Sequence, residues 1–239
     1  MQVRGLNVVV TGGTDGIGRH LAAQLHDAGA AVIVIGRDAE RLAAARAAGM
    51  EAIAADLSNR AGCDALIAAL AGRPIDMLIN NAGMNSDFDV DGVMDRDMTD
   101  RAIFLNLNAP IHLVAGLLPA LRARPQAAIV NVTSGLAYAP RAGAPVYCAT
   151  KAGLRSFTQT LRHQLRDSRI RVIEVLPPVV DTRMTAANRH RKMPADACAR
   201  DIIAAIRADR LEAPVGAARL LRILANIAPA AARRIMIRY

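Results

Sequence analysis

Short apolar runs rich in β-branched residues alternate with alanine-rich segments of helical periodicity along the 239 residues of the chain. Runs such as Val32 to Ile35 lack the polar alternation of a half-exposed strand, so both faces of the sheet should be covered by helices. The pattern predicts one α/β domain spanning 1–239, a doubly wound parallel sheet of about seven strands with helices on both faces. The predicted strands are Asn7 to Thr11, Ala31 to Ile35, Glu51 to Ala54, Met77 to Asn80, Ala127 to Thr133, Arg171 to Leu176 and a weak one near Glu212 to Val215.

Composition excludes several other classes of protein. With 53% hydrophobic and 21% charged residues, disorder, collagen and coiled coil are excluded. No run approaches the ~18 to 20 consecutive apolar residues of a membrane-spanning helix, and no leader precedes the first strand, so a soluble, cytoplasmic protein is expected. Three cysteines and five histidines without ligand spacing argue against disulfides and a structural metal.

The net charge of +9 raises the question of an anionic partner. Only Lys151 and Lys192 among the thirty basic residues are lysines, an arginine bias typical of a GC-rich genome. The basic residues are scattered, and 3% aromatic residues provide no stacking platform for single strands. Nucleic-acid binding is therefore not expected.

A glycine-rich turn joins the first strand to the first helix. Gly12, Gly16 and Gly18 allow a tight turn and a close backbone approach, and the helix N-terminus offers free N–H groups to a pyrophosphate. The strand–turn–helix context favours a Rossmann-type dinucleotide site. The alternative is a glycine-rich connection without a ligand.

The end of the second strand bears on which dinucleotide is bound. An NAD site places an acidic residue there, whereas this chain has Gly36 followed by Arg37. A guanidinium group forms bidentate contacts with phosphate, so Arg37 favours NADP, with NAD possible. The alternative is a solvated arginine at the start of a helix.

Two further stretches follow predicted strands. Asp56-Leu57 comes after the third strand, and Asn80-Asn81-Ala82-Gly83 comes after the fourth. Ligands of such sheets bind beyond the carboxyl ends of the strands, so both stretches should face one crevice. Each could instead be an ordinary turn, because Asn, Asp and Gly favour turns.

Ser134, Tyr147 and Lys151 give the most specific signal. Ser134 ends the fifth strand, and a spacing of four places Tyr147 and Lys151 on one face of the next helix. With three tyrosines and two lysines, this spacing is expected by chance only about 0.02 times per chain. The remaining alternative is that Ser134 only caps the strand end.

These three side chains could couple proton transfer to hydride transfer. An unperturbed phenol has a pKa of about 10, too high for efficient acid–base catalysis near neutrality. An ammonium group ~4 Å away, at an effective dielectric of ~20, favours the phenolate by ~4 kcal/mol. We therefore expect Lys151 to lower the pKa of Tyr147, while Ser134 holds the substrate oxygen.

With these motifs in place, residues 6 to about 208 resemble the short-chain dehydrogenase/reductase family. The glycine motif of the family matches residues 11 to 18, its acidic adenine contact matches Asp56, and its catalytic asparagine matches Asn106, whose counterpart helps to hold a water that links the lysine to solvent. The resemblance implies a homodimer or homotetramer. It also implies catalytic residues Ser134, Tyr147, Lys151 and Asn106, and cofactor contacts from Gly12, Thr14, Gly16, Ile17, Gly18, Arg37, Asp56, Leu57, Asn81, Ala82, Gly83, Tyr147, Lys151, Pro177, Val180 and Thr182.

The chain departs from the family pattern at two points. Pro178 replaces a glycine after the sixth strand, and Asp15 stands where relatives that prefer NADP often have a basic residue. The stretches around Ser134 and Pro177 are similar to a subgroup that includes the oxidoreductase encoded with D-alanyl-lipoteichoic acid genes. The substrates of that subgroup are poorly defined, so the similarity names no substrate.

Two segments outside the core motifs should shape the surroundings of the site. Residues 183–194 should form a mobile lid, whose Arg183, Arg189, His190, Arg191 and Lys192 suit an anionic substrate or, as the favoured alternative, are only solvated. Asp181 is expected to cap a helix rather than to catalyse. Residues 217–239 form a basic amphipathic extension that is expected to pack on this or a neighbouring subunit, with binding to an anionic membrane as the less favoured alternative.

The main hypothesis is an NADP(H)-dependent oxidoreductase that interconverts an alcohol and a carbonyl of a small-molecule substrate, with Tyr147 as general acid and base. The alternative is a non-catalytic protein that senses NADP(H) on the same fold.

Overall fold

The computed structural model describes residues 1–86, 88–188 and 191–239. One seven-stranded, fully parallel sheet runs through it in the order β3-β2-β1-β4-β5-β6-β7. The strands are β1 (Asn7–Thr11), β2 (Ala31–Gly36), β3 (Glu51–Ala54), β4 (Met77–Asn80), β5 (Ala127–Val132), β6 (Ile170–Leu176) and β7 (Glu212–Pro214). The doubly wound parallel sheet predicted from the sequence is confirmed, and the predicted strand ends differ from the observed ones by at most one residue.

Helices cover both faces of the sheet. They are α1 (Gly16–Asp27), α2 (Ala39–Ala47), α3 (Arg60–Ala69), α4 (Arg96–Ile103), α5 (Ala109–Arg122), α6 (Pro145–Gln164), α7 (Ala195–Arg207), α8 (Ala218–Ile227) and α9 (Pro229–Met236). Short 3-10 turns lie at Gly135–Ala137 and Arg183–Thr185, and a π-helical turn, Phe104–Asn108, joins α4 to α5.

Two apolar cores lie on opposite faces of the sheet because successive side chains of a strand point to opposite sides. Val8 and Val10 pack in the core that includes Leu21 of α1 and Ile202 of α7. Val9 between them packs in the other core, with side chains of α3, α5 and α6. Both faces are therefore buried, which explains the continuous apolar runs of the strands.

Within the described residues, one helical stretch, Arg96–Arg122, has the length and hydropathy of a membrane-spanning helix. It is the exception to the expectation that no segment of the chain could span a bilayer. Its side chains Leu113, Leu117 and Leu121 are buried in the core under α5, so the same composition serves to cover the sheet.

The last two helices pack on the same subunit, next to the carboxyl end of the sheet. α8 contacts β7 and the 3-10 turn at Gly135–Ala137, and α9 packs against α8. The backbone N–H of Ala142 donates to the carbonyl of Ile237 (3.0 Å). The extension predicted for residues 217–239 therefore contacts the segment that follows Ser134 and precedes Tyr147.

Candidate active site

A cavity of about 680 Å³ lies at the carboxyl ends of the strands. It extends from the end of β2, past β1 and β4, to the ends of β5 and β6, the position where doubly wound sheets bind ligands. Sixteen of the predicted site residues line it: Gly12, Thr14, Gly16, Ile17, Arg37, Asp56, Leu57, Asn81, Ala82, Gly83, Ser134, Tyr147, Lys151, Pro177, Val180 and Thr182. Gly18 and Asn106 do not line it.

The glycine-rich turn brings two backbones into contact. Gly12 has φ +63°, and a Cβ on it would lie 2.9 Å from the Cα of Ala82. Gly18 is packed more tightly still, since a Cβ there would lie 2.2 Å from the carbonyl oxygen of Gly12. The lack of a side chain on Gly18 lets α1 approach the turn, and the neighbours Gly16 and Ile17 line the cavity, so the predicted contact of Gly18 with a cofactor stays a prediction.

Asp15, which departs from the pattern of relatives that prefer NADP, is neutralised by two arginines. Its carboxylate caps α1 by accepting from the N–H of Gly16 (2.8 Å). Its other oxygen accepts from Arg41 Nη1 (2.8 Å) and lies 3.7 Å from Arg183 Nη1. Arg41 of α2 was not predicted from the sequence and lines the cavity near Arg37. It supplies a basic side chain at the end of the cavity where Asp15 replaces one.

Arg37 and Asp56 lie side by side at the same end of the cavity. Arg37 Nη1 is 3.5 Å from Asp56 Oδ1, and its side chain is about half exposed. Burial alone would raise the pKa of Asp56, but hydrogen bonds from Ser58 and the charges of Arg37 and Arg101 hold that pKa below its usual value. Asp56 is thus an ionised carboxylate among hydrogen-bond donors.

Tyr147 and Lys151 lie one turn apart near the start of α6, as their spacing predicts. Lys151 is 3% exposed, and its Nζ donates to the carbonyl of Val132 at the end of β5 (2.8 Å). Its Nζ is 5.7 Å from the centre of the Tyr147 ring. The strand end therefore holds the ammonium group beneath the phenol.

The predicted lowering of the Tyr147 pKa is wrong. Burial raises the pKa of Tyr147 to about 12, with the hydrogen bond from Ser134 acting in the opposite direction. Burial also lowers the pKa of Lys151 to about 8. The expected gain took the ammonium group to be ~4 Å from the phenol, and the cost of desolvating both groups outweighs it. At neutral pH the phenol is protonated.

Ser134 caps a turn and also lines the cavity. It follows β5 by two residues, and its Oγ accepts from the N–H of Leu136 (3.1 Å), which caps the 3-10 turn at Gly135–Ala137. Ser134 also lies close enough to Tyr147 that its hydroxyl acts to lower the pKa of the phenol, against the larger effect of burial. The cap holds Ser134 where its hydroxyl reaches both the phenol and the cavity.

Asn106 lies behind the cavity wall, in the π-helical turn between α4 and α5. Its side-chain oxygen accepts from the N–H of Met84 (2.9 Å), and its Nδ2 donates to the Met84 carbonyl (2.9 Å) and to Thr150 Oγ1 (3.2 Å). π-helical turns are rare and frequently occur at functional sites. Here the turn ties the loop after β4 to the helix that carries Lys151.

The segment after β6 borders the cavity beside the glycine-rich turn. Thr182, not Asp181, caps the 3-10 turn at Arg183–Thr185, which corrects the prediction for Asp181. The N–H of Asp181 donates to the carbonyl of Met193 (2.8 Å), and the N–H of Met193 donates to the carbonyl of Val179 (2.9 Å); these two bonds close the base of the predicted lid. Arg183, Met184 and Thr185 of that lid line the cavity, whereas Arg189 and His190 lie outside the described residues.

In the part of the chain that the structure describes, no group of three His, Cys, Asp or Glu side chains could hold a metal ion.

Several cavity residues besides Arg41 were not predicted from the sequence: Ile35, Gly36, Asp38, Ala55, Leu105, Val132, Thr133 and Pro178. Most of them are neighbours of predicted residues at the strand ends, so counting outwards from each strand end could have found them.

The chain belongs to the short-chain dehydrogenase family, whose model matches residues 6–193. It is an oxidoreductase of that family by fold and by sequence, as the resemblance implied.

Individual relatives agree with this assignment. The chain is 43% identical over 197 residues to the uncharacterised oxidoreductase DltE of Bacillus subtilis, covering 80% of this chain and 78% of that one. A short-chain dehydrogenase from Burkholderia cenocepacia, solved with NADP, superposes with a TM-score of 0.90 at 26% identity over 100% of both chains. A short-chain dehydrogenase/reductase from Burkholderia phymatum, solved with NAD, superposes with a TM-score of 0.82 at 25% identity over 93% of each chain.

Proposed function

We propose that the chain is an NADP(H)-dependent oxidoreductase that interconverts an alcohol and a carbonyl, with Tyr147 as general acid and base. One observation carries the proposal. Ser134, Tyr147 and the buried Lys151 stand together at one end of a single cavity, and Arg37 and Arg41 stand at the other. The Ser134–Tyr147 end suits the oxygen of the reacting substrate. The Arg37–Arg41 end suits a phosphate group of the cofactor.

The cavity fits a dinucleotide phosphate. Gly12 and Gly36 line the cavity and pack so closely on Ala82 and Thr14 that a Cβ would collide with them, so backbone forms this part of the wall. Arg37 and Arg41 would hold the 2′-phosphate, because guanidinium groups recognise phosphate with charge-assisted hydrogen bonds. The relative solved with NADP supports this preference, and the one solved with NAD is the reason to measure both cofactors.

The residues of the chain account for the movement of the proton. In carbonyl reduction, the Ser134 hydroxyl donates a hydrogen bond to the substrate oxygen, and the protonated Tyr147 hydroxyl gives its proton to the same oxygen. When bound, the reduced nicotinamide supplies the hydride that the carbonyl carbon accepts. The Lys151 ammonium then stabilises the Tyr147 phenolate until a proton returns from solvent. Alcohol oxidation is the reverse.

The cofactor preference is tested by calorimetric titration of the purified chain with NADPH and with NADH. A charged hydrogen bond contributes about 1.5 to 3 kcal/mol, so NADPH should bind roughly 10- to 100-fold more tightly. Arg41→Gln should reduce this ratio at least about threefold, whereas Arg60→Gln, which removes an exposed arginine of α3, should leave it unchanged. Equal affinities, or an unaltered ratio in Arg41→Gln, would contradict the proposed roles of these arginines.

The catalytic role is tested with Tyr147→Phe and a panel of aldehydes and ketones. General acid catalysis contributes about 10²- to 10⁴-fold, so the variant should lose that factor in NADPH oxidation while it still binds NADPH. Thr160→Val is the control, since it removes an exposed hydroxyl of the same helix from a residue outside the cavity lining. Turnover retained in Tyr147→Phe would refute the assignment.

A further inference from the structure

The last two helices expose a row of large apolar side chains. α8, α9 and the residues after them, 218–239, are here called the C-terminal hairpin. Only Ala218 and Ala232 of the hairpin are fully buried. Leu220, Ile223 and Ile227 of α8 are 72%, 54% and 79% exposed and recur at the i, i+3, i+7 spacing of one helix face. Packing on the subunit therefore leaves this face uncovered.

The second half of the hairpin extends the same character. Ile235, Ile237 and Tyr239 are all exposed, and α9 packs against α8. Aliphatic side chains joined by a tyrosine are typical of the boundary between lipid headgroups and acyl chains. The hairpin thus offers an apolar surface carried on two short helices.

The side-chain charge of the hairpin has one sign. Residues 213–239 contain five arginines and no Asp or Glu. Arg219 and Arg222 pair with Asp201 and Glu212 of the subunit. Arg233, Arg234 and Arg238 are exposed and have no Asp or Glu partner within the described residues. Among the described residues, positive charge that no acidic side chain neutralises therefore lies on the same two-helix segment as the exposed apolar side chains.

We propose that the C-terminal hairpin docks this chain on an anionic lipid bilayer. Apolar side chains beside exposed arginines complement acyl chains beneath anionic headgroups. A second copy of the chain would place its hairpin arginines against arginines of the same sign. An anionic bilayer satisfies both the charge and the apolar face at once.

The position of the hairpin gives the docking a consequence for the active site. A Cβ on Gly135, the residue after Ser134, would lie 3.3 Å from Ala218 and 3.6 Å from Leu221. The hairpin also bonds to the loop before Tyr147, through Ala142 and Ile237. Docking would hold the Ser134–Tyr147 end of the cavity near the bilayer, into which apolar carbonyl and alcohol compounds partition. This consequence for the substrate rests on the proposed function.

The test is sedimentation of the full chain with large vesicles of phosphatidylcholine alone or mixed with phosphatidylglycerol. We expect binding to the mixed vesicles and at least about tenfold weaker binding to phosphatidylcholine. Arg233→Gln, Arg234→Gln and Arg238→Gln together should weaken binding on the order of 100-fold, from about fivefold per arginine near an anionic surface. The matched control, Arg4→Gln, Arg122→Gln and Arg169→Gln, removes three other exposed arginines and should change it less than about threefold.

The apolar face needs its own variant. Ile223→Ser with Ile227→Ser should weaken vesicle binding at least about tenfold, whereas Val90→Ser with Val93→Ser, at other exposed positions, should not. The proposal is overturned if the full chain does not bind mixed vesicles, or if both triple variants weaken binding equally. It is also overturned if the double variant Ile223→Ser with Ile227→Ser changes the oligomeric mass but not vesicle binding. NADPH affinity measured without vesicles tests the proposed function separately.

Discussion

At the residue scale, Lys151 carries a charge in a place where burial opposes it. Its ammonium group donates to one backbone carbonyl, and no carboxylate is among the causes that shift its pKa. A fall of the pKa from 10.5 to about 8 corresponds to about 3 kcal/mol of folding free energy. The chain thus gives up stability to keep a charge beneath Tyr147, as catalytic residues often require.

The burial of Lys151 predicts a specific pH dependence of stability. Between pH 8 and 10.5 the folded chain has released the Lys151 proton while the unfolded chain still binds it, so the free energy of unfolding rises with pH over this interval. Relative to Lys151→Met, the wild type should gain about 2 kcal/mol between about pH 7.5 and pH 10. Urea denaturation of both chains at the two pH values measures this gain.

The difference between wild type and Lys151→Met removes the contribution of every other titrating group, so it serves as its own control. A difference that stays constant from about pH 7.5 to pH 10 would mean that the Lys151 pKa is not lowered in the folded chain.

The sequence predicted which side chains meet at the site better than how they act. The four-residue spacing placed Tyr147 and Lys151 on one helix face, because helix geometry alone decides that. It could not give their pKa values, which depend on burial by β5 and on the hydrogen bond from Ser134. Arg41 escaped detection because its partner, Asp15, is distant in sequence and is brought close only by the packing of α2 against the turn.

At the element scale, a buried ion-pair network joins α6 to the last two strands. Arg155 lies one turn beyond Lys151 and bridges Glu174 of β6 (2.6 Å) and Glu212 of β7 (2.7 Å). Glu174 is fully buried and also accepts from Thr133, the residue before Ser134 (2.9 Å). The Tyr138 hydroxyl donates to Glu212 (2.9 Å). The network therefore holds the chain on both sides of Ser134, at Thr133 before it and at Tyr138 after it.

Arg155→Met should destabilise the chain by about 3 to 5 kcal/mol, because it leaves the Glu174 carboxylate buried without its cation. Burial already raises the pKa of Glu174. In the variant, the folded state should bind a proton there more tightly than the unfolded state, so the loss should shrink as the pH falls from about 7 to 5. Urea denaturation at both pH values measures the loss and its trend.

Two further variants distinguish loss of the Arg155–Glu174 ion pair from the general effect of removing an arginine on stability. Arg155→Met combined with Glu174→Gln should recover part of the loss, because the buried charge is gone. Arg166→Met removes an arginine that pairs at the surface with Asp167 and should change stability by less than about 0.5 kcal/mol. If Arg155→Met costs no more than Arg166→Met, the network does not hold the folded state.

The elements themselves were predictable to different degrees. Strands such as β2 and β5 are continuous apolar runs bounded by polar turns, so their ends could be read closely from the sequence. The π-helical turn at Phe104–Asn108 could not, because its local sequence is ordinary and only the hydrogen bond from the N–H of Ala109 to the carbonyl of Phe104 distinguishes it. The 3-10 turn after Thr182 was likewise displaced by one residue from the expected cap at Asp181.

At the scale of the whole molecule, the cavity spans both halves of the sheet. Its lining comes from the ends of β1, β2 and β4 on one side and from β5, β6 and the segment after β6 on the other. The order of the strands follows from alternating strands and helices, since right-handed crossovers leave few other arrangements. The strand order could not show that the C-terminal hairpin contacts the turn at Gly135–Ala137, next to the cavity, without contributing to the cavity lining.

A ligand that spans the cavity should stabilise the molecule as one unit. A cofactor at about one hundred times its Kd adds about 2.7 kcal/mol to the free energy of unfolding, and each kcal/mol raises Tm by about 2 to 4 °C in a domain of this size. NADPH should therefore raise Tm by about 5 to 10 °C, and NADH at the same concentration by about 1 to 5 °C if it binds roughly 10- to 100-fold more weakly. Calorimetric scans should also show a single unfolding transition, as expected for one domain over 1–239. Two transitions, only one of them moved by NADPH, would instead place the cofactor on a part of the chain that unfolds separately from the rest.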